Sequence, residues 1–175
     1  MTVLPLVDGF VAVRISYDAR VKSWLARSGH YLDNPPPGAL FALSVQRAAQ
    51  GLFDVVGDGN MLGLCLVGRP VARMLPQDGS WGEIIRFVLQ PGLPHGMASA
   101  LLRAAATYAR TRRKPMRVLI PYHDRTRHTG CIYRKAGFRK DGVTQPHPVG
   151  WASRDNRKSA DYERTSKRRW RLDLQ

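Results

Sequence analysis

Met97–Arg113, rich in Ala and Leu and closed by a basic turn, lies between two apolar runs, Glu83–Leu89 and Met116–Tyr122. Ala, Leu and Met are strong helix formers, and arginines in a last turn complement the negative end of the helix dipole. The Pro/Gly stretch Gln90–Gly96 can only be a loop. A strand, a loop, a long helix and a second strand in that order form an α/β unit, with the helix packed on one face of a sheet.

The front half reads differently. Tyr17 to Tyr31 is a short amphipathic helix with Val21, Trp24 and Leu25 on one face and Gly29 ending it. Asp33–Gly38, with three consecutive prolines, is a stiff loop. Strand-like runs follow at Ala39–Val45, Leu52–Val56 and Met61–Val67, the last after the turn Gly57–Asn60. Beyond Met116–Tyr122 the pattern gives a short helix at Thr129–Lys135 closed by Gly137, then a strand at Phe138–Val143. Gln145–Arg164 is polar and loop-like, and Arg169–Leu174 reads as a final edge strand. The expected architecture is one α/β domain with an antiparallel front half. It divides into a body at 1–150 and a basic, aromatic-containing extension at 151–175 that packs on or completes the same domain.

Charge is distributed unevenly. Of 28 Lys and Arg and 13 Asp and Glu in the chain, residues 110–175 hold 19 basic and 6 acidic groups, and residues 1–109 hold 9 and 7. Such an asymmetry points to a polyanionic partner, and Trp151, Tyr162 and Trp170 among the arginines are rings able to stack on bases. A merely solubilising tail is the plainer alternative. No apolar run reaches the ~18 residues a membrane span needs. The N-terminus lacks the basic region of a signal peptide, and the two cysteines, Cys65 and Cys131, form no CxxC pair. A reducing, cytoplasmic setting without membrane attachment is expected. There is no GxxxxGK[ST] and no GxGxxG phosphate loop.

Two segments carry the chemistry. Arg86 to Ser99 runs from a strand through His95 and Gly96 into the helix start at Met97, Ala98 and Ser99. First-turn amides lack intrahelical acceptors and, with the dipole, suit a pyrophosphate; an ordinary strand-to-helix turn would look the same. The layout resembles the acyl-coenzyme A loop of the GNAT acetyltransferase superfamily, whose usual loop has two closely spaced glycines where this chain has Gly96. In the second segment, Tyr133 followed by Arg-Lys-Ala-Gly-Phe resembles the GNAT stretch in which a helix tyrosine serves as general acid. A tyrosine placed there for packing is the alternative.

Asp124, His128, Gly130, Ile132 and Tyr133, followed by Gly142 and Thr144, are similar to the Mom family of phage DNA-modification proteins, a divergent GNAT branch. Trp24-Leu25 followed by His30-Tyr31, Gly68-Arg69-Pro70 and the terminal Lys167-Arg168-Arg169-Trp170 extend the likeness over about residues 20–172. What this resemblance implies is modification of adenine at N6, as a carbamoylmethyl derivative that blocks restriction. His30, Tyr31, Asp124 and Tyr133 would line the active site. An acyl donor, acetyl-CoA or another, would sit against Arg86, His95, Gly96, Met97, Ala98 and Ser99. Iron(II) would be held by His30, Tyr31 and Asp124. Arg154, Arg157, Lys158, Lys167, Arg168 and Arg169 would clamp the phosphates of double-stranded DNA in the host cytoplasm; the sequence leaves the oligomeric state open, a homodimer included. The alternative is an acetyl-CoA-dependent N-acetyltransferase acting on a protein or small amine. A nucleic-acid-binding module of the same shape without catalysis is a third reading.

Overall fold

The computed structural model describes residues 2–29, 36–48, 61–145 and 165–174. Eleven elements follow in chain order: β1 (Val3–Pro5), β2 (Phe10–Ile15), α1 (Ala19–Arg27), β3 (Phe41–Arg47), β4 (Gly63–Gly68), β5 (Trp81–Leu89), α2 (Met97–Thr111), β6 (Val118–Asp124), α3 (Cys131–Lys135), β7 (Arg139–Thr144) and β8 (Lys167–Asp173). The eight strands form one sheet in the order β1-β2-β3-β4-β5-β6-β8-β7. Neighbours from β1 to β5 are antiparallel, β5 and β6 are parallel, and β6, β8 and β7 are antiparallel again. The parallel pair is joined through α2, the crossover that a strand–helix–strand unit requires. The expected α/β domain with a mixed central sheet flanked by helices is what the chain forms.

Strands β3 and β4 bury both faces almost throughout. Phe41, Leu43 and Val45 pack with Leu101, Leu102 and Ala105 of α2, whereas Ala42, Leu64 and Leu66 pack with Val21 and Leu25 of α1. Strand alternation thus gives two apolar layers, one under each helix. The first helix is shorter than its sequence pattern. Asp18 caps it by accepting the amides of Arg20 and Val21 (2.9 and 3.2 Å), and Gly29, at φ +70°, ends the turn beyond. The Leu52–Val56 run and the Gln145–Arg164 segment fall outside the described residues, apart from Gln145 at its edge. Strands β1 and β2 were not anticipated from the sequence; β2 pairs with β3 along its whole length.

The terminal strand corrects an expectation. It is internal, lying between β6 and β7, and β7 is the edge. Its alternation explains why the sequence misleads. Trp170 is buried in the α2-side core with Leu172 packed beside it, whereas Arg169 and Arg171 lie on the other face. There Asp141 and Asp173 receive their guanidinium groups at 2.6 and 2.7 Å. A strand with one charged face looks like an edge until its acidic partners are placed.

Candidate functional site

Strands β5 and β6 pair only from Trp81 with Val118 to Ile84 with Pro121. Past that point the two strands diverge, so Ile85–Leu89 present to β6 a backbone edge that β6 leaves unpaired. A cavity of about 180 Å³ opens in this gap, lined by residues 84–87 of β5, by Tyr122 and His123 of β6, and by residues 128–133 around the start of α3. The other edge of β5 is bulged at the same level. Leu66 of β4 faces Arg86 and Val67 faces Ile84, leaving Ile85 without a partner. The bulge inverts the alternation: Ile84 and Phe87 pack on the α2 side, Ile85 and Val88 on the α1 side. Arg86 therefore lies on the same face as Ile85 and joins the cavity from the α1 side.

The wall of the cavity on the α2 side is aromatic. His123 and Tyr133 stack at 5.8 Å with 13° between planes, and Trp170 lies 5.8–5.9 Å from both. Trp170 Nε1 donates to His123 Nδ1 at 2.7 Å, so the neutral imidazole carries its proton on Nε2. Burial pushes the His123 pKa down, helped by the positive charges of His128, Arg168 and Arg125 and opposed by Asp124. The ring is thus held neutral at physiological pH. Gly130, at φ +76°, makes this packing possible: a Cβ there would stand 2.6 Å from both His123 and Trp170.

Glu83 is the residue that sequence reading did not single out. It lies on β5 at 8% exposure, and its Oε2 accepts the amide of Val71 at 2.8 Å. Burial pushes its carboxyl up to about 7, against that hydrogen bond and the charges of Lys167 and Arg86. Glu83 precedes the first lining residue, Ile84, by one position, and a carboxylate titrating near neutrality is suited to proton transfer. The available signal was the single acid in a mostly apolar strand. Glu83 also raises the phenol of neighbouring Tyr122, though burial is the larger cause of that rise and Arg169 opposes it.

The sequence-predicted residues are distributed as follows. Tyr133, buried among His123, Trp170 and Phe138, lines the cavity. Asp124 stands just past the lining, with its side chain turned into its own loop. Its Oδ1 accepts the amide and hydroxyl of Thr126 (2.8 and 2.6 Å), its Oδ2 accepts Thr165 Oγ1 (2.9 Å), and Arg127 Nε lies 3.7 Å away. Burial raises the carboxyl, but these bonds more than offset it and hold Asp124 below the usual carboxylate range. Such a group clamps a loop and is poorly placed to accept a proton at neutral pH. His30, Tyr31, Arg154, Arg157 and Lys158 lie outside the described residues. No group of three His, Cys, Asp or Glu side chains converges among the described residues, so nothing here supports the iron expected at His30, Tyr31 and Asp124.

At the donor loop, Gly96 caps α2 at φ +88° with open space where a Cβ would point. Ser99 Oγ donates to Gly96 O at 2.9 Å, closing the loop onto the first turn of α2. Met97 is buried, Ala98 is half-buried and His95 is exposed. Of the basic terminal triplet, Lys167, Arg168 and Arg169 are all half-buried on β8. Cys65 is buried, its thiol pushed up to about 12, and is inert as a nucleophile.

A strand–loop–helix–strand unit whose parallel strands part above a cavity is the architecture of the GNAT fold. No protein-family model and no curated protein matches the sequence. Solved structures do match in fold. A GNAT-family acetyltransferase from Bacillus anthracis aligns with TM-score 0.60 at 12% identity, covering 99% of both chains. The spermidine/spermine N-acetyltransferase SpeG from Vibrio cholerae, solved with manganese ions, aligns with TM-score 0.61 at 11% identity over 95% of this chain and 93% of its own. A Bacillus subtilis acetyltransferase in complex with CoA aligns with TM-score 0.51 at 14% identity over 77% of each. At such identities the likeness establishes the fold: this chain has the GNAT acetyltransferase fold. Membership in the Mom branch finds no support in these comparisons. No described helix is long and apolar enough to cross a membrane.

Proposed function

We propose that the chain is an N-acyltransferase that draws an acyl-CoA into the gap between β5 and β6. The observation that carries this reading is the divergence of the two strands after Ile84 and Pro121, with a cavity between them. The residues fit such a donor. The open edge of β5 offers backbone donors and acceptors to an extended, amide-bearing chain. The first-turn amides of α2, above Gly96, suit a pyrophosphate. When bound, the donor supplies an activated thioester. Glu83 takes the proton of the incoming amine, directly or through a water, and the Tyr133 phenol gives a proton to the departing sulfur. Arg86 orients charge at the mouth of the cavity.

The test is a thermal melt with CoA and acetyl-CoA. Binding to the native state alone stabilises it by about 2.7 kcal/mol at a hundredfold excess over Kd. Gly96→Asp sets a carboxylate where the pyrophosphate belongs and should remove the stabilisation. Failure of both ligands to raise the melting temperature would overturn the reading.

A second reading keeps the cavity and changes the acceptor to the N6 amine of adenine in DNA, as the resemblance to Mom proteins implies. The observation favouring it is charge: residues 110–145 and 165–174 carry fifteen Lys and Arg against three Asp. An adenine would be flipped out of its duplex to reach Tyr133, at a cost of a few kcal/mol. Mass spectrometry of nucleosides from DNA of cells expressing the chain decides it. A modified deoxyadenosine supports this acceptor, and unmodified DNA refutes it.

A further inference from the structure

The three acids among the fifteen bases of residues 110–145 and 165–174 are all spent internally. Asp124 is clamped by Thr126 and Thr165, Asp141 receives Arg169 at 2.6 Å, and Asp173 receives Arg139 and Arg171 at 2.9 and 2.7 Å. What remains outward is nearly all positive. The loop after β6 exposes Arg125 and Arg127; the edge strand β7 exposes Lys140; the turn of α3 leading into β7 exposes Arg134 and Lys135. On β8, which pairs with β7, Arg168 has its Nε buried with no acceptor among the described residues.

Register places these groups along β8 and its partner β7, with Lys167 and Arg168 on opposite faces at the end nearest the loop after β6. Lys167 and Arg168 of β8 lie opposite Asp124 and His123, next to the loop that carries Arg125, and opposite Thr144 and Val143 of β7. Lys140 faces Trp170 further along, and α3 ends beside the start of β7. Seven residues of β8 span about 20 Å at roughly 3.3 Å each. Along a duplex axis each strand advances about 3.4 Å per phosphate, so the strip spans some six base pairs of duplex. Protein partners, by contrast, need an apolar interface core with aromatic anchors. Val143 is the one exposed large hydrophobic group here among the described residues. A surface that is polar, positive and almost free of apolar area has the composition of a nucleic-acid interface.

We infer that the β7 edge, with the loop after β6 and the end of α3, is the docking surface for the phosphodiester backbone of a nucleic-acid duplex. The strip ends at the loop bordering the cavity, so a duplex lying along it passes the cavity mouth. The inference goes beyond the acyl-transfer reading and does not depend on it, because binding is read without donor or turnover.

The test uses the full chain and a fluorescein-labelled 20-base-pair DNA, with an RNA duplex of the same sequence in a parallel arm. Anisotropy is followed over about 50 to 300 mM NaCl. The logarithm of the binding constant should fall linearly with that of salt, with slope near −0.9 per phosphate contact. Lys140→Ala, Arg125→Ala and Arg134→Ala should each flatten the slope by about 0.9 and leave the melting temperature unchanged. Arg20→Ala and Arg27→Ala, exposed on the outer face of α1, serve as controls and should not alter it. Tighter binding of one duplex identifies its source, and equal binding means that backbone charge alone is read. No binding to either duplex at 50 mM salt would overturn the inference. So would an unaltered slope in all three edge variants, or an equal change in the controls.

Discussion

Glu83→Gln separates a carboxylate stored in the sheet from one that merely sits there. Its native pKa is about 7 against 4.5 for the free group, and burial is the cause. A carboxyl whose native pKa is raised binds more protons folded than unfolded, so stability declines as pH rises. The penalty is absent below about pH 4.5, grows between 4.5 and 7, and is complete above 7. Raising a pKa by one costs the charged form about 1.4 kcal/mol, giving roughly 3 kcal/mol at about pH 8 and about 1 kcal/mol at pH 5.5. Glutamine keeps an acceptor for the Val71 amide and never ionises. Urea unfolding of both proteins at the two pH values isolates the effect, since every other titrating group cancels in the difference. The variant should gain about 2 kcal/mol on the wild type between pH 5.5 and 8. If the two proteins keep a constant difference, Glu83 is not held near neutrality and cannot be the base. Activity should move the opposite way, with kcat/KM falling about 10²-fold or more for the loss of a general base.

Asp124→Asn should cost about 1–3 kcal/mol near neutral pH, because the Thr126 and Thr165 bonds lose a charged acceptor. Asp124 has a lowered native pKa, so its stabilisation is present above the ordinary carboxylate range and lost as pH falls through the native value. The difference between wild type and variant should therefore shrink in acid, and a difference that stays flat would refute the loop-clamp role. Trp170→Phe leaves the buried Nδ1 of His123 without its donor and should lower the urea midpoint by about 1–3 kcal/mol equivalent. The same variant should move the imidazole nitrogen resonances toward a mixture of tautomers; unchanged resonances would contradict the fixed tautomer. Gly130→Ala forces a Cβ against His123 and Trp170 at positive φ, and should destabilise more than Trp170→Phe in the same assay.

Much of the fold was legible because it is written locally. Helix α2 announces itself by composition over a long window, and the Pro/Gly loop and the flanking apolar runs bound it within two residues at each end. The short helix that carries Tyr133 was legible for the same reason, since Gly137 closes it, whereas the tyrosine itself stood out by the resemblance of its segment to the GNAT stretch. The charge asymmetry needed only counting. Strands β1 and β2 were missed because short strands carry weak periodicity, and β3, which fixes β2 in the sheet, lies about thirty residues further on.

What the tertiary structure alone decided is everything that depends on which strand lies beside which. The gap at the site exists because β5 and β6 stop pairing after Ile84 and Pro121, and no residue type encodes that ending. The bulge that turns Arg86 to the α1 side is a register shift against β4. Glu83 acquires its raised pKa from being covered, and Asp124 loses its promise as a base because Thr165 reaches it from 41 residues away. The arginines of β8 change from an exposed edge to an internal ladder once Asp141 and Asp173 are set beside them. Propensity and charge are properties of a segment; pKa, register and the opening of a cavity arise between segments, from desolvation and long-range pairing that the linear order does not carry.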